Sequence, residues 1–180
     1  MNFQLSDEQA MLQNSVARYI KDQYNFDTRR KIISSQKGMS SELWTTFSEL
    51  GWLSIPFSED YGGYGGGNED VAVIMEELGK GIVVEPFVPT VLLFGGLLSH
   101  CGNNIVAADL IPKIIEGSCQ GAFAYLERQS RFEITDMKTK ATPLEKGWSI
   151  DGSKSIVLNG SNATHIIVAA RTSGGQHDSS

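Results

Sequence analysis

The chain has 180 residues, a net charge of −6 and a sequence isoelectric point near 5.0. This length allows one domain with a core, or one domain and part of a second. The composition, 41% hydrophobic and 20% charged residues, is that of a globular protein. The acidic charge and the lack of a Lys/Arg cluster argue against a nucleic-acid partner.

The sequence also argues against membrane insertion and secretion. The N-terminal stretch MNFQLSDEQ has neither the basic nor the apolar region of a signal peptide. The most apolar stretch, Val88 to Leu98, is shorter than the roughly 20 residues that a membrane span needs. Cys101 and Cys119 form no CxxC pair, which indicates reduced thiols and a cytoplasmic protein. The three histidines are scattered, so we expect no metal site.

Helical patterns fill the first 120 residues. Ser6 and Gln9 form a capping box that predicts the start of the first helix. Apolar periodicity predicts further helices over Ser41 to Leu50, Asn68 to Leu78, Pro86 to Ser99 and Ile105 to Glu116. Pro112 is expected to kink or split the last of them.

The stretch EDYGGYGGGNED, Glu59 to Asp70, is rich in glycine and precedes a predicted helix. Free N–H groups at a helix start can bind phosphate. The spacing, however, is neither GxGxxG nor GxxxxGK[ST], and Glu69 and Asp70 would repel an anion. A flexible loop leading into the helix is therefore the favoured interpretation.

After Gly117 the pattern changes to short segments rich in Val, Ile, Thr and Ala. They predict strands over Gly121–Tyr125, Lys138–Thr142, Gly147–Asp151, Ser153–Leu158 and His165–Arg171. The predicted fold is a mainly α N-terminal helical bundle over residues 1–120, followed by an antiparallel β domain over 121–180. Because these strands lack partners that would close the sheet, the β domain is expected to be truncated.

No nucleophile triad or GxSxG elbow is present, so no catalytic residue is predicted. The order of segments is more informative. WTTFSELGWLSIPFSEDYGGYGGGNEDVAVIMEELGKG, LIPKIIEGSCQGAFAYLER and KTKATPLEKGWSIDGSKSIVLNGSNATHIIVAART occur in this order. The ordered set, from Leu5 to Thr172, resembles the acyl-CoA dehydrogenase family.

This resemblance implies a flavoenzyme of three domains, helical, β and helical, that binds FAD and oxidises an acyl-CoA to the 2,3-enoyl-CoA. A carboxylate base would remove the α proton while flavin N5 takes hydride from the β carbon. In the family the base lies well past residue 180, so this chain alone is expected to be inactive.

The resemblance also assigns ligand positions. A family motif like Y-x-x-TEPxxGSD aligns with FAYLERQSRFE, and K-x-W/F-I-T/S-N-G aligns with KSIVLNG. The implied cofactor-binding residues are Phe123, Leu126, Glu127, Ile156 and Leu158, and the implied substrate-binding residue is Phe132.

Several of these positions depart from the motif. The family Thr is Leu126, two glycines are Gln129 and Arg131, and the Ser is Phe132. Backbone groups at Leu126 remain able to bond the flavin edge, so the FAD site is weakened rather than excluded. The pattern is most similar to the pimeloyl-CoA dehydrogenase small-subunit branch.

Three interpretations therefore stay open. The chain is part of a FAD-dependent dehydrogenase, a non-catalytic, flavin-poor subunit that supports a catalytic partner, or a helical interaction module. The first two imply an acyl-CoA substrate and a homo- or hetero-oligomer with another acyl-CoA dehydrogenase-like subunit.

Overall fold

The computed structural model describes residues 4–178, and its helices precede its strands. The α-helices are α1 (Asp7–Gln23), α2 (Phe26–Ile33), α3 (Ser41–Glu49), α4 (Asn68–Lys80), α5 (Gly96–His100) and α6 (Asn104–Ile115). Two 3₁₀ turns (Trp52–Ser54 and Glu59–Tyr61) follow α3, and a π-helix (Phe87–Gly95) runs directly into α5. The strands are β1 (Gly121–Ala124), β2 (Lys140–Pro143), β3 (Trp148–Asp151) and β4 (His165–Val168). The predicted fold class, helices followed by a few strands, is confirmed.

Helix boundaries follow from local capping. Ser6 Oγ accepts from the Gln9 N–H at 3.1 Å, and Gln9 Oε1 accepts from the Ser6 N–H, as the capping box predicts. Helix α2 is a helix that the sequence analysis missed. Its N-cap is Asn25, whose side chain accepts from the Thr28 N–H at 2.9 Å.

Pro112, expected to kink or split its helix, does not split it, because α6 is continuous through this residue. Ile111 and Ile114 beside it are fully buried in the core. Their burial stabilises helical backbone that the proline alone would disfavour.

The glycine-rich loop packs against the chain that precedes it. A side chain at Gly63 would overlap the Phe57 carbonyl, which explains a glycine at this position. At the start of α4, Asp70 Oδ2 accepts from the Gly67 N–H at 2.7 Å and Asp70 Oδ1 accepts from Gln9 at 3.1 Å. The chain's own carboxylate therefore occupies the place that a phosphate would need.

The helical core is aromatic. Phe47 packs against Trp52 with ring centroids 4.8 Å apart, and Tyr19 meets both rings edge-on. Phe94 of the π-helix is buried in the same core. Gly121 begins β1 against this helix, since a Cβ there would overlap the Phe94 ring. This close approach joins the strands to the helices.

The strands pair in two ways. β2 and β3, which lie within two predicted strands, form an antiparallel hairpin with Lys140 opposite Asp151. β1 and β4 are instead parallel, with Gly121 opposite His165, and the long connection that a parallel pair requires contains the hairpin.

The predicted strand over Ser153–Leu158 was wrong. Residues 158–162 form turns, and Ile156 and Asn159 have φ angles of 54° and 59°. A strand does not accommodate this left-handed backbone.

Candidate functional site

The candidate site is built on the loop that follows β1. The Leu126 carbonyl accepts from the Ser155 N–H at 2.9 Å, which fixes the Lys154–Ile156 segment beside it. The Leu126 N–H has no hydrogen-bond partner among residues 4–178. The loop therefore presents one free backbone donor next to the Lys154–Ile156 segment.

Glu127 holds the loop in place. Its side chain is only 3% exposed, and its Oε1 lies 2.9 Å from the Lys154 Nζ. The same oxygen accepts from the Thr139 hydroxyl at 2.6 Å and from the Thr139 N–H at 2.9 Å. Oε2 accepts from the Lys138 N–H and from Gln129 Nε2, both at 2.8 Å. The carboxylate is thus saturated by donors of its own chain.

These bonds set the charge state of Glu127. Burial on its own raises the pKa of a carboxyl. The hydrogen bonds from Thr139, Gln129 and Lys154 together outweigh burial and hold the pKa of Glu127 well below its ordinary value. Glu127 is therefore a permanent anion at neutral pH, and its structural role is to join β1, the loop and Lys154.

Arg131, which the motif alignment places at a glycine position, has an unusual backbone conformation. Its φ is 50°, in the left-handed region that favours glycine. Phe132, the implied substrate residue, follows directly and is 100% exposed. A left-handed backbone and an exposed aromatic side chain therefore lie next to each other in this loop.

The other implied cofactor residues surround two different cavities. Ile156, 76% exposed, lines a cavity of about 600 Å³ between the strands, together with Ile150 and Ile166. Leu158, 53% exposed, lines a cavity of about 590 Å³ at the junction with the helices. Phe123 is half-buried and stacks on Tyr125 with ring centroids 4.8 Å apart. Leu126 and Glu127 contact Ser155 and Lys154, the residues that directly precede Ile156, whereas Leu158 lines the other cavity.

Sequence reasoning missed two parts of this region. The ion pair between Lys154 and Glu127 joins residues 27 positions apart, and only the family motif, which carries a Lys at position 154, hinted at it. Thr90, fully buried in the π-helix, bonds the Gly121 backbone and Asn159 and so links helices to strands. No local pattern marks Thr90.

Three other kinds of feature, a metal site, a disulfide and a membrane span, receive little support from the structure. Among residues 4–178, no group of three or more His, Cys, Asp or Glu side chains is arranged to hold a metal ion. Cys101 and Cys119 are both free thiols. None of the helices described is long and apolar enough to cross a membrane.

Comparison with known proteins identifies the class. The family model for the acyl-CoA dehydrogenase N-terminal domain matches residues 6–118. The chain belongs to the acyl-CoA dehydrogenase family, a family of flavin-dependent dehydrogenases, as the sequence resemblance predicted.

Individual relatives agree with this assignment. The chain is 29% identical over 170 residues to mitochondrial isovaleryl-CoA dehydrogenase of Pongo abelii, covering 93% of this chain and 40% of the relative. It superposes on the FAD complex of PigA with a TM-score of 0.85 and 27% identity, covering 98% of this chain and 46% of that one. A variant of the Tcur3481-Tcur3483 steroid ACAD gives a TM-score of 0.81 at 25% identity, covering 92% and 45%. The chain thus spans less than half the length of these relatives.

Proposed function

We propose that this chain supplies the helical domain, residues 1–120, and the first part of the β domain, 121–180, of a flavin-dependent dehydrogenase. Its substrate would be an acyl-CoA thioester, oxidised between the α and β carbons. Family membership over residues 6–118 and the similarity to the FAD complex of PigA support this proposal. The catalytic base would lie outside the chain, so residues 1–180 alone would be inactive. The free thiols Cys101 and Cys119 fit a cytoplasmic location.

The residues present fit FAD through backbone and apolar contacts. The Leu126 N–H would donate to the edge of the flavin ring, and Ile156 and Leu158 would offer apolar surface. Phe123 would support the strand below, and Phe132 would face the thioester. FAD, when bound, supplies the hydride acceptor, while Glu127 positions the loop from beneath.

The observation that carries this proposal is the free Leu126 N–H. Backbone N–H groups buried away from water are nearly always paired in folded proteins, and a partly exposed one is available to a ligand. Leu126 is half-buried, and its carbonyl is already bonded to Ser155. A flavin edge is the acceptor that the family plan offers to this group.

Flavin binding tests the proposal directly. FAD titrated into the purified chain should lose fluorescence as it binds, and Ile156→Asp should weaken binding at least tenfold because a carboxylate would face the ring. Ile105→Asp is the matched control, since Ile105 is 84% exposed on α6, away from the loop. Saturable binding that both variants leave unchanged would contradict the assigned site.

The hydrogen bonds that already occupy the Glu127 loop favour a second function. Every oxygen of Glu127 is occupied, Gln129 stands where a family glycine allows a ligand to approach, and the Leu126 carbonyl is already bonded. In this alternative the chain belongs to a flavin-poor subunit that supports a catalytic dehydrogenase in a hetero-oligomer. The similarity to the Tcur3481-Tcur3483 steroid ACAD, which carries two protein names, supports such an arrangement.

Co-expression separates the two functions. The protein would be produced alone and together with the product of a neighbouring dehydrogenase gene, then compared by visible absorption and gel filtration. A yellow protein when produced alone supports the first function. A colourless protein that elutes with a yellow partner supports the second, and a yellow homo-oligomer contradicts it.

A further inference from the structure

The cavity at the junction of helices and strands is separate from the Glu127 loop. The end of α4, the start of the π-helix and the turn after Val157 surround its volume of about 590 Å³. Its walls are largely apolar and include Met39, Met75, Leu78, Val83 and Phe87. A volume of this size, with such walls, suits a small aliphatic ligand.

One acidic side chain interrupts this apolar lining. Glu85 lines the cavity and is only 5% exposed. Its Oε1 accepts from the Ser40 N–H at 3.1 Å, and the Tyr24 hydroxyl is the other donor near this carboxyl. Oε2 is buried and has no hydrogen-bond partner among the described residues. An unsatisfied buried carboxyl oxygen is costly, and a ligand that donates to it would recover that cost.

The rim of the cavity is conformationally strained. Ile82 has a φ of 48°, a left-handed conformation that is exceptional for a β-branched residue. Its carbonyl accepts from Arg29 Nε at 2.8 Å, and its side chain is 63% exposed at the mouth. Strain held in place by a distant residue is common at ligand-binding sites.

The cavity adjoins the proposed cofactor region. Leu158 lines it, together with Asn159, and Leu158 is one of the residues assigned to the flavin site. A ligand in this cavity would therefore extend from the flavin region towards Glu85.

We propose that this cavity binds an aliphatic chain whose buried end carries a hydrogen-bond donor, and that Glu85 selects for this donor. Identifying the ligand as the far end of an acyl chain rests on the proposed function. The preference for a donor does not, because it follows from Glu85 and the apolar walls alone.

Methionine methyl groups give a direct measurement. Met39 and Met75 line the cavity, whereas Met11 is 72% exposed on α1 and lies outside it. Protein labelled with ¹³C at the methionine methyl groups would be titrated with hexan-1-ol and with its isomer 1-methoxypentane, which has no donor. We expect Met39 and Met75 to shift and Met11 to stay, with hexan-1-ol binding about 10-fold to 100-fold more tightly.

Two variants sharpen the test. In Glu85→Gln the amide oxygen can still accept from the Ser40 N–H. The group that faces the cavity is then neutral, either an amide donor or an amide oxygen. The ratio of the affinities for hexan-1-ol and 1-methoxypentane should therefore fall to less than about threefold. Glu49→Gln, at an exposed position on α3, should leave the preference unchanged. The comparison of isomers on the unaltered protein stands even if Glu85→Gln fails to fold.

Several outcomes would overturn the proposal: no shift with either compound, equal affinities for the isomers, equal shifts of Met11, or a folded Glu85→Gln variant with full preference. None of these measurements involves flavin. A colourless protein that prefers hexan-1-ol would contradict the proposed cofactor site alone, and a flavin-binding protein without this preference would contradict the role of Glu85 alone.

Discussion

Residues 7–115 and residues 121–178 are held together by different interactions. In the helical region the large side chains are buried, as Trp44, Phe47, Trp52 and Phe94 are at most 2% exposed. In the β region several large apolar side chains are exposed, with Trp148 at 57% and Phe132 at 100%.

The buried groups of the β region are small or polar. Beyond Gly121, Ala122 and Ala124 they are Glu127, Ser130 and Thr139. Apolar burial stabilises the helices, whereas one satisfied carboxylate organises the loop and strands. The two regions should therefore respond to different perturbations, and the exposed apolar side chains of the β region are not covered by any of residues 4–178.

The largest effect is expected from truncating a core aromatic residue. Phe47→Ala should lower the free energy of unfolding by about 3–5 kcal/mol, because it removes burial and leaves a cavity beside Trp52. Denaturant unfolding followed by tryptophan fluorescence measures this change. Phe132→Ala, the same substitution in the β region, should change it by less than about 0.5 kcal/mol. If Phe47→Ala and Phe132→Ala lowered the free energy of unfolding equally, the two regions would not differ in how they are stabilised.

Removing the Glu127 carboxylate should loosen the β region alone. Glu127→Ala leaves the Lys154 ammonium buried without its counter-charge, which costs about 3–5 kcal/mol. Hydrogen exchange should accelerate at the Lys138 and Thr139 amides, which donate to Glu127, and stay unchanged in α1. Glu133→Ala, an exposed carboxylate of the same loop, is the control and should leave the exchange at Thr139 unaltered.

Lowering the pH should reduce the stability of the chain through the same carboxylate, that of Glu127. The pKa of Glu127 is lowered in the folded chain by its hydrogen bonds despite burial, whereas an unfolded Glu titrates near about 4.3. Below that pH the unfolded chain takes up a proton that the folded chain does not, so stability falls as the pH decreases. The stability that the Glu127 carboxylate contributes is complete above about pH 5. It is lost progressively as the pH falls from there towards the lowered pKa of the folded chain.

Denaturant midpoints between pH 6 and pH 3 measure this dependence. The unaltered chain should lose more stability over this range than Glu127→Gln, in which position 127 does not titrate. Because the other carboxyls titrate in both proteins, the difference isolates Glu127. Parallel pH profiles would show that the carboxylate does not control the β region.

The smallest effect is expected at a strained turn. Ile156 has a φ of 54°, and left-handed backbone costs a β-branched residue about 1–2 kcal/mol. Ile156→Asn should therefore raise the stability by about 1 kcal/mol, since Asn tolerates this conformation and the Ile side chain is mostly exposed. Thermal unfolding measures this gain. Ile105→Asn on α6 is the control and should not stabilise the chain. A gain in the control would show that replacing any exposed Ile by a polar residue stabilises the chain, whatever its backbone conformation.

The sequence alone determined the features that depend on near neighbours. The capping box at Ser6, the change from helical to strand periodicity near residue 120 and the hairpin that contains Gly147 to Asp151 all follow from groups a few positions apart. The ordered segments, read together, also determined the family, which the match over residues 6–118 confirmed.

Only the tertiary structure decided what distant groups do to each other. Burial of Ile111 keeps α6 intact through Pro112, and left-handed backbone at Ile156 turns a predicted strand into a turn. Glu127, assigned to a cofactor, has donors at Lys138, Thr139 and Lys154. Periodicity and propensity describe a chain over a few residues, whereas burial and charge pairing depend on which segments meet. For that reason neither the saturated carboxylate of Glu127 nor the unsatisfied oxygen of Glu85 could be read from the sequence.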